Sequence, residues 1–139
     1  MKKILIIFLL LIGICSCVDS SKSSSGKTYV GNITNKATFE KYLSYSSSYI
    51  EQGNSSTGYY VVITVNVTSL NSNYYFEDLQ FSIKGDKSTS KKYSVPTNGS
   101  LVVTCNSMSY SSRDSRAYFL MTLEAGQIKM VSGKVYKTN

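Results

Sequence analysis

Residues 59–68 read YYVVITVNVT, and this stretch decides the fold class. In an extended chain successive side chains point to opposite sides. Val61, Ile63, Val65 and Val67 therefore share one face, and Tyr60, Val62, Thr64, Asn66 and Thr68 share the other. The first set is wholly aliphatic and β-branched, while the second turns polar toward its end. Such alternation predicts an antiparallel strand with one side on a core and the other in water.

The same period continues on both sides of this strand. Residues 69–73 are a loop by composition, and 74–83 form the next strand, with Tyr75, Leu79, Phe81 and Ile83 sharing a parity. Glu77 interrupts that parity, which marks a strand edge or a bulge. Residues 84–92, KGDKSTSKK, form a polar loop, and Pro96 keeps the strand at 93–95 short and confines it to an edge or end. Asn98-Gly99 is a tight-turn pair. A strand over 101–108, a loop at 109–113 and two last strands over 115–123 and 127–137 complete the chain. Those last two read as a hairpin joined at Ala125-Gly126, with Leu123 facing Ile128 and Met121 facing Met130 on the side of Phe119. Near the start, 28–34 reads as a strand. Phe39, Tyr42, Leu43, Tyr49 and Ile50 have helix-like spacing, with Thr38 placed to cap it. Serines 44, 46, 47 and 48 weaken a helix, so 38–50 is either a short helix or an irregular crossover.

Six or seven antiparallel strands in residues 27–139 predict one all-β domain, an antiparallel β-sandwich of immunoglobulin-like size with room for one short helix near 38–50. The alternative is a small up-and-down β-barrel. A Cys-Trp-Cys pattern is missing from this tryptophan-free chain, so it is not a true immunoglobulin domain by sequence.

Composition removes several chemistries. Among 139 residues are 25 serines and 12 tyrosines, but no histidine. Without histidine there is no Ser-His-Asp triad, no imidazole base and no histidine metal ligand. Eight scattered carboxylates supply no dedicated calcium or two-metal site. No catalytic residue, metal or cofactor is assigned. Ser88-Thr89-Ser90-Lys91 matches the S-x-x-K pattern of penicillin-binding enzymes, as does Ser24-Ser25-Gly26-Lys27, yet the companion S-D-N and K-T-G patterns are missing. A Ser/Lys hydrolase is accordingly the last of the readings.

The N-terminus carries an address. Lys2 and Lys3 precede the apolar run 4–14, ILIIFLLLIGI, whose 11 residues as a helix would span only about 16 Å against a hydrocarbon core of about 30 Å. A short positive segment followed by a short apolar one reads as a secretory signal peptide. Ile14-Cys15-Ser16-Cys17 then resembles the lipobox of bacterial lipoproteins: an aliphatic residue at −3, small residues at −2 and −1, and the cysteine that is lipidated. The resemblance covers the first 17 residues and implies a diacylglyceryl thioether on Cys17, with cleavage in front of it. It further implies a bacterial cell-envelope location, held to a membrane by lipid. The expected organisation is thus a signal peptide at 1–16, the lipidated Cys17 with a serine-rich tether to 26, and the β-rich domain from 27 to 139. Serine-rich chain with glycine is flexible by composition.

The formal charge is +7, and without Lys2 and Lys3 thirteen cations against eight carboxylates leave +5. This is mildly basic and no base-stacking motif accompanies it, so nucleic acid is not an expected partner. Lys84, Lys87, Lys91 and Lys92, offset by Asp86, make loop 84–92 the candidate contact with an anionic surface, either phospholipid headgroups or an acidic polysaccharide. Cys105 shares a strand face with Leu101 and Val103, which predicts a buried, unpaired thiol. The adjacent pairs Tyr59-Tyr60 and Tyr74-Tyr75 must divide between strand faces, and outward tyrosines suit contact with an envelope protein or a polymer. The leading expectation is a lipid-anchored binding module, and the alternative is a structural or assembly subunit of an envelope complex.

Overall fold

A computed structural model describes residues 26–139; the expected signal peptide, Cys17 and the tether up to residue 25 lie outside the described residues. The elements are β1 (Lys27–Ile33), α1 (Lys36–Glu40), β2 (Leu43–Asn54), β3 (Gly58–Ser69), β4 (Tyr74–Ile83), β5 (Tyr93–Ser94), β6 (Leu101–Asn106), α2 (Arg116–Glu124) and β7 (Ile128–Thr138). They form two antiparallel sheets, ordered β1-β7-β4-β5 and β2-β3-β6. The two sheets stay separate, so the molecule is an all-β sandwich and not the barrel.

The core forms where the alternation of β3 places it. Val61, Ile63, Val65 and Val67 are each at most 1% exposed, and Phe76, Leu79, Phe81 and Ile83 of β4 meet them from the opposite sheet. Glu77 does mark a bulge. The β4–β7 register slips between Glu77 and Gln80, and Asp78 there adopts φ 52°, a left-handed conformation that a short polar side chain tolerates.

Two expectations are corrected. First, residues 115–123 do not pair with β7 as a hairpin. They form α2, with the Ser115 hydroxyl oxygen accepting from the Tyr118 N–H at 3.1 Å. Buried Tyr118 and half-buried Met121, Thr122 and Ala125 fall at helical spacing, while Phe119, Leu120 and Leu123 face water. Arg116, Ala117, Leu120, Met121 and Glu124 are all strong helix formers, so propensity and packing agree. Second, the region 38–50 divides between two elements. One helical turn, α1, is capped by Asn35, whose Oδ1 accepts from the Thr38 N–H at 2.9 Å while the Thr38 hydroxyl accepts from the Asn35 N–H at 3.0 Å. The rest forms β2, which pairs with β3 in an unbroken register from Leu43↔Ser69 to Asn54↔Gly58. Thr38 thus serves at the third helical position, and Tyr49 and Ile50 lie on a strand.

The strand directions fix which parts of the molecule stand together. Gly26 meets the end of the chain at one end of the sandwich, where the Asn139 N–H donates to the Gly26 carbonyl at 3.0 Å and the Thr138 N–H to Asn73 at 2.8 Å. β4 leaves this end at Tyr74 and runs ten residues to Ile83, about 30 Å along a strand. Loop 84–92 therefore opens at the far end, beside the start of β7.

Candidate functional site

The far end is organised by Asp86. Gly85 at φ +85° turns the chain out of β4, and an added Cβ there would come within 3.3 Å of Ala125 Cα. The Lys84 N–H donates to Gln127 O at 2.8 Å and the Gly126 N–H to Lys84 O at 3.0 Å, which fixes the loop base against the start of β7. Asp86 then lies buried, with Oδ2 accepting from the Tyr93 hydroxyl at 2.6 Å and Oδ1 from the Ser88 N–H at 3.2 Å. The Lys87 N–H donates to Asn106 O at 2.8 Å, so the loop crosses from one sheet to the edge of the other and closes the side between β5 and β6.

This arrangement divides the four lysines. Lys84 Nζ lies 3.1 Å from Glu124 Oε1, and both line a small hollow with Ser82, Thr89 and Lys129. Its charge is largely spent within the fold. Lys87 and Lys91 instead border a second, open hollow of about 490 Å³, together with Asp86, Ser88, Thr104, Cys105 and Asn106. The Lys91 ammonium also stands over the Tyr93 ring, 4.9 Å from its centre. Lys92 is exposed, and neither Lys87 nor Lys92 has an ion-pair partner among the described residues.

Asp86 and Tyr93 are the site residues that sequence reading did not single out. Asp86 reads in the sequence only as a charge offsetting the loop lysines, and nothing local tells that the carboxylate turns inward to a phenol seven residues on. Burial first, and then the hydrogen bond to Asp86, keep the Tyr93 phenol protonated well above its ordinary value of 10.0. Burial and the charge of Asp86 likewise push the Cys105 thiol up, away from the thiolate. Cys105 is free and buried, as its parity with Val103 predicts. Ser88 and Lys91 share one backbone bond, Lys91 N–H to Ser88 O at 3.0 Å, and no side-chain hydrogen bond joins them among the described residues. Beside the Cys105 thiol and the Asp86 carboxylate, whose oxygens are taken by Tyr93 and Ser88, the hollow offers two ammonium groups, two hydroxyls and an amide, a set suited to holding anionic and hydroxylated groups.

The tyrosines divide as expected. The Tyr60 hydroxyl donates to Gln52 at 3.0 Å on one face of β3, while Tyr59 lies on the other near Arg113. Tyr74 packs edge-on against Tyr42 and Phe76, and Tyr75 lies under Lys27. Tyr29 and Tyr49 are the most exposed, at 53% and 42%.

Compared with known proteins, the chain matches no family model, no curated protein and no solved structure.

The protonated phenol gives a pH expectation. The unfolded chain ionises Tyr93 near 10 and the folded chain does so only at higher pH. The contribution is thus fully present below about pH 10 and is lost above it, as the unfolded state alone releases the proton. Denaturation midpoints measured from pH 8 to 11 should fall above pH 10, and Tyr93→Phe should remove part of that fall. An identical slope in the variant would contradict the assignment.

Proposed function

We propose that the protein is a lipid-anchored bacterial cell-envelope module whose β-sandwich binds an acidic polysaccharide through Lys87 and Lys91. The observation that carries this reading is the placement of the two ends. Chain arriving from Cys17 enters at Gly26, and the lysine-lined hollow opens at the opposite end of β4. The nine steps from residue 17 to residue 26 span at most about 32 Å. A domain tied at Gly26 carries the hollow on the end away from its anchor, which favours polymer beyond the membrane over the headgroups of its own bilayer. The basic loop then serves an envelope polyanion, and membrane attachment is left to the lipid.

Binding of the purified full-length chain in detergent to an acidic polysaccharide such as polygalacturonate tests this. Affinity should fall as salt rises, because exposed charges are screened over about 8–10 Å at 0.10–0.15 M. A lysine facing an anionic surface contributes about 1 kcal/mol. Replacing both Lys87 and Lys91 by serine should therefore weaken binding by about 2 kcal/mol, roughly thirtyfold. Lys84→Ser should change it little, since Lys84 is paired with Glu124. Parent and double variant binding alike, or a parent that does not bind, would reject the reading.

A further inference from the structure

The edges of the two sheets are defended unequally. β1 carries Lys27 and a register shift between Tyr29 and Gly31, β5 is two residues long, and β6 is crossed by the Lys87–Asn106 hydrogen bond. Lysines, bulges, short strands and covering loops are the usual means by which proteins keep edges from pairing. β2 has none of them. It runs twelve residues at the edge of its sheet with neither Lys nor Pro and no register slip against β3. Beside Leu43 and Tyr45, α1 and the core cover it, but every residue from Ser46 to Asn54 is exposed.

The charge distribution is just as uneven. The strands β2, β3 and β6 contain no Lys or Arg and one carboxylate, Glu51, which is paired with Arg113. In a chain with a formal +7, this is the sheet that can meet its own copy without repulsion between lysines. The free stretch 46–54 has Ile50 at its midpoint, and Ile50 is 67% exposed. It stands across from Val62 on the outer face.

We infer that β2 pairs antiparallel with β2 of a second copy about a two-fold axis at Ile50, joining two three-stranded sheets into one of six. In that register Ile50 faces Ile50 of the copy with Val62 on either side, so an exposed aliphatic row becomes an apolar cluster. Ser48 faces Gln52, and Glu51 faces Tyr49 instead of another Glu51. Ser46 and Ser48 are small enough to let the copy's strand approach. A strand-edge contact of nine residues belongs with the small interfaces, below about 1,200 Å². Association in dilute solution is therefore weak, and it strengthens when copies are confined together.

Disulfide trapping in the full-length chain reads both the pairing and its register. Paired positions on adjacent antiparallel strands have Cα atoms about 4.5–5.5 Å apart, within disulfide reach. Under a mild oxidant Ile50→Cys should give a dimer that reduction dissolves, at least tenfold above the parent chain, whose native cysteines set the background. Ser48→Cys and Gln52→Cys alone should stay at background, because each residue then lies about 13 Å along the strand from its own copy. The two together should cross-link. No dimer from Ile50→Cys, equal dimer from the single variants, or capture of a different protein by Cys at position 50 would each overturn the assignment.

Discussion

Cys17→Ala should abolish incorporation of a tagged fatty acid, while Cys15→Ala should leave it largely intact. The thioether needs the thiol, and the fit of Ile14 at −3 and Ser16 at −1 selects Cys17 over Cys15, which would have Ile14 at −1. One acyl chain holds a protein to a bilayer only marginally and two hold it stably, so the lipid proposed on Cys17 would by itself account for anchoring. Label, and not fractionation, is the right readout. A chain neither lipidated nor cleaved would keep the apolar residues 4–14, which would hold it at the membrane whatever happens at Cys17. Unchanged label in Cys17→Ala would remove the anchor from the proposed function, and label lost from Cys15→Ala would move it.

Phe39→Ala lowers stability by about 3–5 kcal/mol, the range for emptying a buried aromatic site. Phe39 is 0% exposed and its ring stands edge-on to Tyr45 and to Phe81, 6.2 Å from each. It thereby joins α1 to both sheets at once. α1 is five residues long and has little stability of its own, so its position depends on this one side chain. Loss of the ring costs the buried area, leaves a cavity and removes two aromatic pairs. Denaturant titration should show the lower midpoint. Phe119→Ala, at a ring 58% exposed on α2, should change it by less than about 1 kcal/mol. Similar losses in both variants would mean that the core is not where β3 and β4 place it.

How far each element could be read ahead follows from where its hydrophobic partners lie. β3 was legible because its own residues carry the pattern: four aliphatic side chains on one face, all buried. β2 was not, because its partner supplies the burial. From Ser46 to Asn54 it exposes both faces, and it is a strand by virtue of a register with β3 that no local window contains. Of the helix-like spacing only Phe39 lies in α1; Tyr42 follows in a turn, Leu43 already opens β2, and the continuation to Tyr49 and Ile50 was coincidence. α2 misled for another reason. Apolar residues at 117–121 and 123 satisfy a period of two as readily as one of 3.6, and four of them face solvent. Only the cap at Ser115 and the burial of Tyr118 distinguish the periods.

The site divides along the same line. Loop 84–92 and its lysines were visible as composition, and Cys105 as strand parity. The separation of Lys84 from Lys87 and Lys91 depends on Glu124, forty residues on, and the buried carboxylate of Asp86 depends on a phenol across the loop. Both are products of the closed fold.

The opposed placement of Gly26 and loop 84–92 also sets how the domain would carry tension. A pull between an anchor at one end and a bound polymer at the other acts along the strands. Ladder hydrogen bonds in antiparallel pairs lie perpendicular to that direction. β1, the first element to feel the load, is matched to β7 at six positions, from Lys27↔Thr138 to Ile33↔Gly133. It must slide past β7 with these loaded together, instead of peeling away one bond at a time.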